Sequence, residues 1–104
     1  MKRIRSLLTN YFKNPFFLVH VHGESGWPIL VPGKKYVASH WGKPKKGDFI
    51  VFNNPRNTSE TLIKRVVATE HGGYRVESMV SWGSSSRDFG LIEKKNVFGK
   101  ILFI

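Results

Sequence analysis

Thr61-Leu62-Ile63-Lys64-Arg65-Val66-Val67-Ala68-Thr69-Glu70-His71-Gly72-Gly73-Tyr74-Arg75-Val76-Glu77-Ser78-Met79-Val80 is the stretch whose reading decides the fold. Residues 61 to 70 and 74 to 80 each read as a strand. Between them stands His71-Gly72-Gly73, and a short glycine turn joining two strand-like runs is a strong hairpin signal. Alternation along the first run sets Leu62, Lys64, Val66 and Ala68 on one face, with Ile63, Arg65 and Val67 on the other. Lys64 therefore shares an otherwise apolar face. Arginine keeps its proton at ordinary pH, whereas a desolvated lysine can lose it. A neutral lysine amine can then take a proton from a hydroxyl and act as a general base. Lowering a lysine pKa by about 2 to 3 units costs about 3 to 4 kcal/mol, which apolar packing has to exceed. The competing reading is a lysine whose stem packs while its amine stays in water.

Working outward, more strands appear on both sides. Phe16-Phe17-Leu18-Val19-His20-Val21, Lys35-Tyr36-Val37-Ala38-Ser39 and the continuous apolar run Asp48-Phe49-Ile50-Val51-Phe52 precede the hairpin, and Val97 to Ile104 follows it. His40 to Gly47 and Asn53 to Thr58 read as polar loops, as does the Ser- and Gly-rich segment from Ser81 to Asp88. At the start of the chain, Ile4, Leu7, Leu8, Tyr11 and Phe12 recur at helical spacing among Lys2, Arg3, Arg5 and Lys13, and Pro15 ends the pattern. The expectation is a mainly β fold in a single domain over 1–104. Its parts are an amphipathic helix over 1–14 and a β core over 16–104.

The chain has 104 residues, no cysteine, and 17 Lys and Arg against 7 Asp and Glu, for a formal charge of +10. Disulfides and cysteine-based metal sites are excluded. The basic balance draws the chain toward something acidic: nucleic acid, an anionic membrane surface or an acidic protein. No segment has the roughly 18 apolar residues that a membrane span needs. The expected location is therefore cytoplasmic, with at most a weak peripheral contact between the N-terminal helix and anionic lipid. His20 and His22 share a strand face, but no third ligand completes a metal site.

A second stretch carries chemistry: His22-Gly23-Glu24-Ser25-Gly26-Trp27-Pro28-Ile29-Leu30-Val31-Pro32-Gly33. Gly23 and Gly26 permit a sharp turn and close approach to a ligand, and Pro28 biases Trp27 away from helix. Such a turn can hold the Ser25 hydroxyl clear of its neighbours. On local composition alone, a solvent-facing serine in a Gly/Pro turn fits as well.

Taken in order, the motifs resemble those of signal peptidase I and its relatives. Gly23-Glu24-Ser25-Gly26-Trp27-Pro28-Ile29-Leu30 is similar to the family's nucleophile motif, Gly-x-Ser-Met-x-Pro-Thr-Leu followed by glycine. Gly47-Asp48-Phe49-Ile50-Val51-Phe52 resembles its Gly-Asp-x-Val-x-Phe strand, and Ile63-Lys64-Arg65-Val66-Val67-Ala68 its Lys-Arg segment. Ser86-Arg87-Asp88-Phe89-Gly90 resembles its Asp-Ser-Arg-x-x-Gly box, and Gly99-Lys100 the Gly-Lys near its end. The resemblance runs from about Val19 to Lys100. It implies a serine–lysine endopeptidase with a core of coiled antiparallel sheets. In that reading Ser25 is the nucleophile and Lys64 the base. Gly23, Gly26, Ser84, Ser86 and Arg87 support the reaction or its oxyanion, and Trp27, Pro28 and Ile29 meet the substrate. No metal or organic cofactor is implied. The partner is a protein or peptide that loses a leader or terminal extension. In size the chain resembles the family's small members that mature nickel superoxide dismutase.

The departures from the family pattern are Gly26 for Met, Ile29 for Thr, Lys34 for Asp after Gly33, Gly83 for Ser and Ser85 for Asp. They leave room for a catalytically inactive member used for protein contacts. A third reading, a basic β domain that binds single-stranded nucleic acid through Trp27, Trp41 and Trp82, ranks below these. The chain has no RNA-binding aromatic signature such as Lys-Gly-Phe-Gly-Phe. Nothing in the sequence speaks to the oligomeric state.

Overall fold

The computed structural model describes residues 15–23, 26–79 and 90–102. Among these the fold is mainly β. The strands are β1 (Phe16–His20), β2 (Lys35–Ser39), β3 (Phe49–Asn54), β4 (Asn57–Glu70), β5 (Gly73–Glu77), β6 (Ile92–Glu93) and β7 (Val97–Ile101), with a 3-10 turn at Lys94–Asn96. They form one sheet in the order β1-β2-β7-β3-β4-β5-β6, and every neighbouring pair is antiparallel. The helix expected over 1–14 and the loop from Ser81 to Asp88 lie outside the described residues.

β3 is the centre, and it explains why its sequence is a continuous apolar run. A strand buried on one face alternates; a strand buried on both does not. Ile50 and Phe52 pack on one side with Val66, Tyr74, Val76 and Ile92. Phe49 and Val51 pack on the other with Val21, Leu30, Ala38 and Ile101. The β4–β5 hairpin turns at His71 and Gly72, both at positive φ (49° and 77°), the backbone that a two-residue hairpin turn requires.

Two features stand apart from the sequence reading. The polar loop expected over Asn53 to Thr58 is shorter: β3 and β4 pair down to Asn54↔Asn57. Asn54 accounts for this, since its Oδ1 accepts from the Arg56 N–H at 2.9 Å and its Nδ2 donates to Glu60 at 2.9 Å. Polar side chains here build the turn instead of loosening it. The second feature is one that the sequence reading left open, the placement of β7, which inserts between β2 and β3 and joins two otherwise separate groups of strands. Gly99 makes that insertion possible. A Cβ at this position would be driven into the Ser39 carbonyl oxygen and would also meet the Phe17 ring.

Candidate active site

The loop from His22 to Gly33 is tied at its base. Val21 N–H donates to the Lys34 carbonyl at 3.0 Å, and Gly33 N–H donates to the Val21 carbonyl at 2.9 Å. Leu30 anchors its interior at 1% exposure. A hydrogen bond from Leu30 N–H to the Gly26 carbonyl at 2.7 Å closes the turn, and Val31 N–H donates to the Tyr36 hydroxyl at 2.8 Å. Gly23 has φ +80 with open space around its missing Cβ, so the glycine answers a backbone need. Gly26 answers a packing need: a Cβ there would lie 2.8 Å from the Leu30 Cβ and Cδ1. The anchoring leucine thus occupies the space that a side chain after the serine would take. Ser25 itself lies outside the described residues, as do Ser84, Ser86 and Arg87.

Trp27, Pro28 and Ile29 cross the outer surface of the loop, Trp27 at 53% and Ile29 at 48% exposure, with a cis peptide bond between Trp27 and Pro28. Large apolar groups left open to solvent are available to a ligand.

Lys64 is 5% exposed. It pairs with Ile50 on β3, and its strand neighbours two residues away, Leu62 and Val66, pack in the first core cluster. Its apolar setting follows from the alternation of β4. The reading in which its amine snorkels to water does not fit this burial. β4 changes neighbours at this point. From Asn57 to Arg65 it pairs with β3, and its ladder with β5 runs only over Arg65 to Glu70. On the side away from β3, residues 57–64 form no ladder among the described strands.

A cleft of about 220 Å³ lies between this part of β4 and the start of the loop. Val19, His20, Val21 and His22 line it from the β1 side, Gly26 and Leu30 from the loop, and Thr61, Leu62 and Ile63 from β4. β1 is the terminal strand of the sheet, so the sheet coils until its first strand stands opposite the middle of β4. The cleft therefore brings together the residue after Ser25 and the residues just before Lys64. Its walls are mostly apolar.

His20 and His22 were not singled out by the motifs, yet both line the cleft. Their rings lie 4.5 Å apart, and His20 Nε2 is 3.1 Å from the Gly33 carbonyl oxygen. The signal for them was the alternation of β1 running into the serine loop. No group of three or more metal-ligating side chains occurs among the described residues, and no helix among them is long and apolar enough to cross a membrane.

The family model described as signal peptidase, peptidase S26, matches residues 7–79. The mitochondrial ATP-independent inner membrane protease subunit 1b of Arabidopsis thaliana is 34% identical over 67 residues. That match covers 60% of this chain and 38% of the relative, so the chain matches well under half of that protein's length. With most of the chain inside the family match, from the serine loop through β4 and β5, this protein belongs to the signal peptidase family, peptidase S26.

Proposed function

We propose that the chain is a serine endopeptidase, with Ser25 as nucleophile and Lys64 as general base, acting as one peptidase unit over 1–104. The observation that carries the reading is the burial of Lys64 on β4, directly after the residues that share a cleft with the serine loop. Burial disfavours the ammonium form of a lysine and so favours the amine that can accept a proton. Lys64 Nζ takes the proton from Ser25 Oγ as that oxygen attacks the substrate carbonyl carbon. The Ser25 N–H steadies the oxyanion, a role worth about 3 to 4 kcal/mol per donor, and Gly23 leaves the backbone open beside it. The C–N bond then breaks, and the leaving amine takes the proton back from Lys64. A water molecule, deprotonated by the Lys64 amine, attacks the acyl ester, and as the C–O bond breaks Ser25 Oγ takes that proton from Lys64. Ser84, Ser86 and Arg87 are assigned supporting roles. No metal or organic cofactor enters these steps.

The substrate is an extended peptide segment. The apolar cleft walls accept apolar side chains of an extended segment, and Trp27, Pro28 and Ile29 flank the cleft's entrance. We read the target as the leader or terminal extension of a protein met in the cytoplasm. Ser25→Ala and Lys64→Ala should abolish cleavage of a leader-bearing test protein with the circular dichroism spectrum unchanged. Lys64→Arg should also fail, because arginine cannot give up its proton. Full turnover by any of the three would overturn the dyad. Peptide binding without turnover in the wild type would leave a catalytically inactive member. Strong co-sedimentation with anionic vesicles, lost when residues 1–14 are removed, would move the site of action to a membrane surface.

A further inference from the structure

At the C-terminal end of β4, roughly 20 Å of strand from Lys64, the surface has the opposite character. Three adjoining concavities of about 380, 320 and 530 Å³ meet around Lys94. Together they form a trough whose lining includes Lys43, Lys45, Lys46, Lys94, His71 and Tyr74, together with the acids Glu70 and Glu93. The four lysines come from two separate segments, the loop before β3 and the 3-10 turn, and His71 comes from the β4–β5 turn between them. All four lysines are exposed. Among the described residues none of them is in an ion pair, whereas the nearby acids are already engaged. Arg75 binds Glu70 through Nε and Nη2 at 2.5 and 3.3 Å, and Lys95 lies 3.4 Å from Glu93. The trough is therefore a concave region of uncompensated positive charge, and such clefts concentrate anions.

We propose that this trough is a docking site for an acidic polypeptide segment, separate from the cleft and at the far end of the same strand. Its shape and lining choose among polyanions. A flat lipid surface would touch only the rim of a concavity, whereas a chain can lie along it. Nucleic acid favours open aromatic faces on which bases stack, and no exposed Phe, Tyr or Trp lines the trough among the described residues; Tyr74 is buried in its floor. A chain of carboxylates needs only point charges, which lysines supply. If the peptidase reading holds, the segment belongs to the substrate and lies about six residues of extended chain from the bond that is cut.

The test uses the full chain carrying Ser25→Ala and a fluorescein-labelled decapeptide rich in glutamate. Anisotropy is read at about 0.05 M and about 0.5 M salt, on either side of the range where screening becomes strong. Binding is expected at the lower salt. It should weaken about tenfold or more when glutamine replaces glutamate in the peptide, and by a similar factor in the K43Q/K45Q/K46Q/K94Q variant. The pair K43Q/K94Q serves as a second variant, expected to give an intermediate loss. Binding unaffected by either set of substitutions overturns the proposal, as does no binding to the glutamate peptide. Tighter, lysine-dependent binding of a single-stranded oligonucleotide or of phosphatidylserine vesicles overturns it in favour of another polyanion. None of these readings needs turnover, so an inactive Ser25–Lys64 pair with intact peptide binding would refute only the peptidase assignment.

Discussion

The middle and the C-terminal end of β4 place lysine in opposite surroundings. Near Thr61, one lysine is buried at 5% exposure among aliphatic side chains beside an apolar cleft. Near Glu70, four lysines stand in solvent around a trough. A buried lysine loses hydration and can act as a base; an exposed one keeps its charge and attracts anions. The same side chain thus meets opposite solvation according to which part of one strand it stands beside.

The sharpest way to break this contrast is Lys64→Met. An apolar side chain of similar length should leave the thermal midpoint unchanged or raised, since it exchanges a buried amine for apolar packing. Cleavage should fall by about 10²- to 10⁴-fold, the usual contribution of a positioned general base. A variant that unfolds but retains activity per folded molecule would make Lys64 structural and erase the distinction between the two regions.

Gly26→Ala probes the cleft end more gently. The added methyl meets the buried Leu30 at Cβ and Cδ1, and overpacking of this kind costs about 1 to 3 kcal/mol. Denaturant unfolding should show the loss, and Leu30→Ala in the same chain should recover part of the strain from the added methyl. An unchanged midpoint in Gly26→Ala would mean that the loop is not held against the sheet through Leu30.

The smallest effect belongs to the trough end. The hydrogen bond and charge of Arg75 hold Glu70 below its ordinary pKa of 4.5, and the same contact raises Arg75. A carboxylate lowered in this way stabilises the fold above that ordinary value and stops doing so as pH falls through the lowered one. Glu70→Gln should therefore lower the melting temperature slightly near neutral pH, less so in high salt, and not at all in strong acid. A difference that persists at the acid end would assign the effect to packing.

The β4–β5 hairpin, the apolar β3 and the apolar face of Lys64 were legible because each rests on local rules: turn residues, a run without alternation, and period-two placement. The long polar loop was misread because Asn54 makes local bonds that only a folded turn displays. The insertion of β7 between β2 and β3 had no local signal; it depends on Gly99 meeting the Ser39 carbonyl, residues far apart in the chain. The serine and lysine motifs stood out by their order. His20, His22 and Thr61 became part of the site only when the coil of the sheet set β1 opposite β4.

The position of β7 also bears on how the protein is made. β1 and β2 leave the ribosome first, then β3 to β6, and neither group borders the other in the sheet until Val97–Ile101 arrives to sit between them. The cleft draws its walls from both groups. A nascent chain still short of β7 therefore carries Ser25 and Lys64 on two groups of strands that no described ladder yet joins, with only side-chain packing across the gap between them.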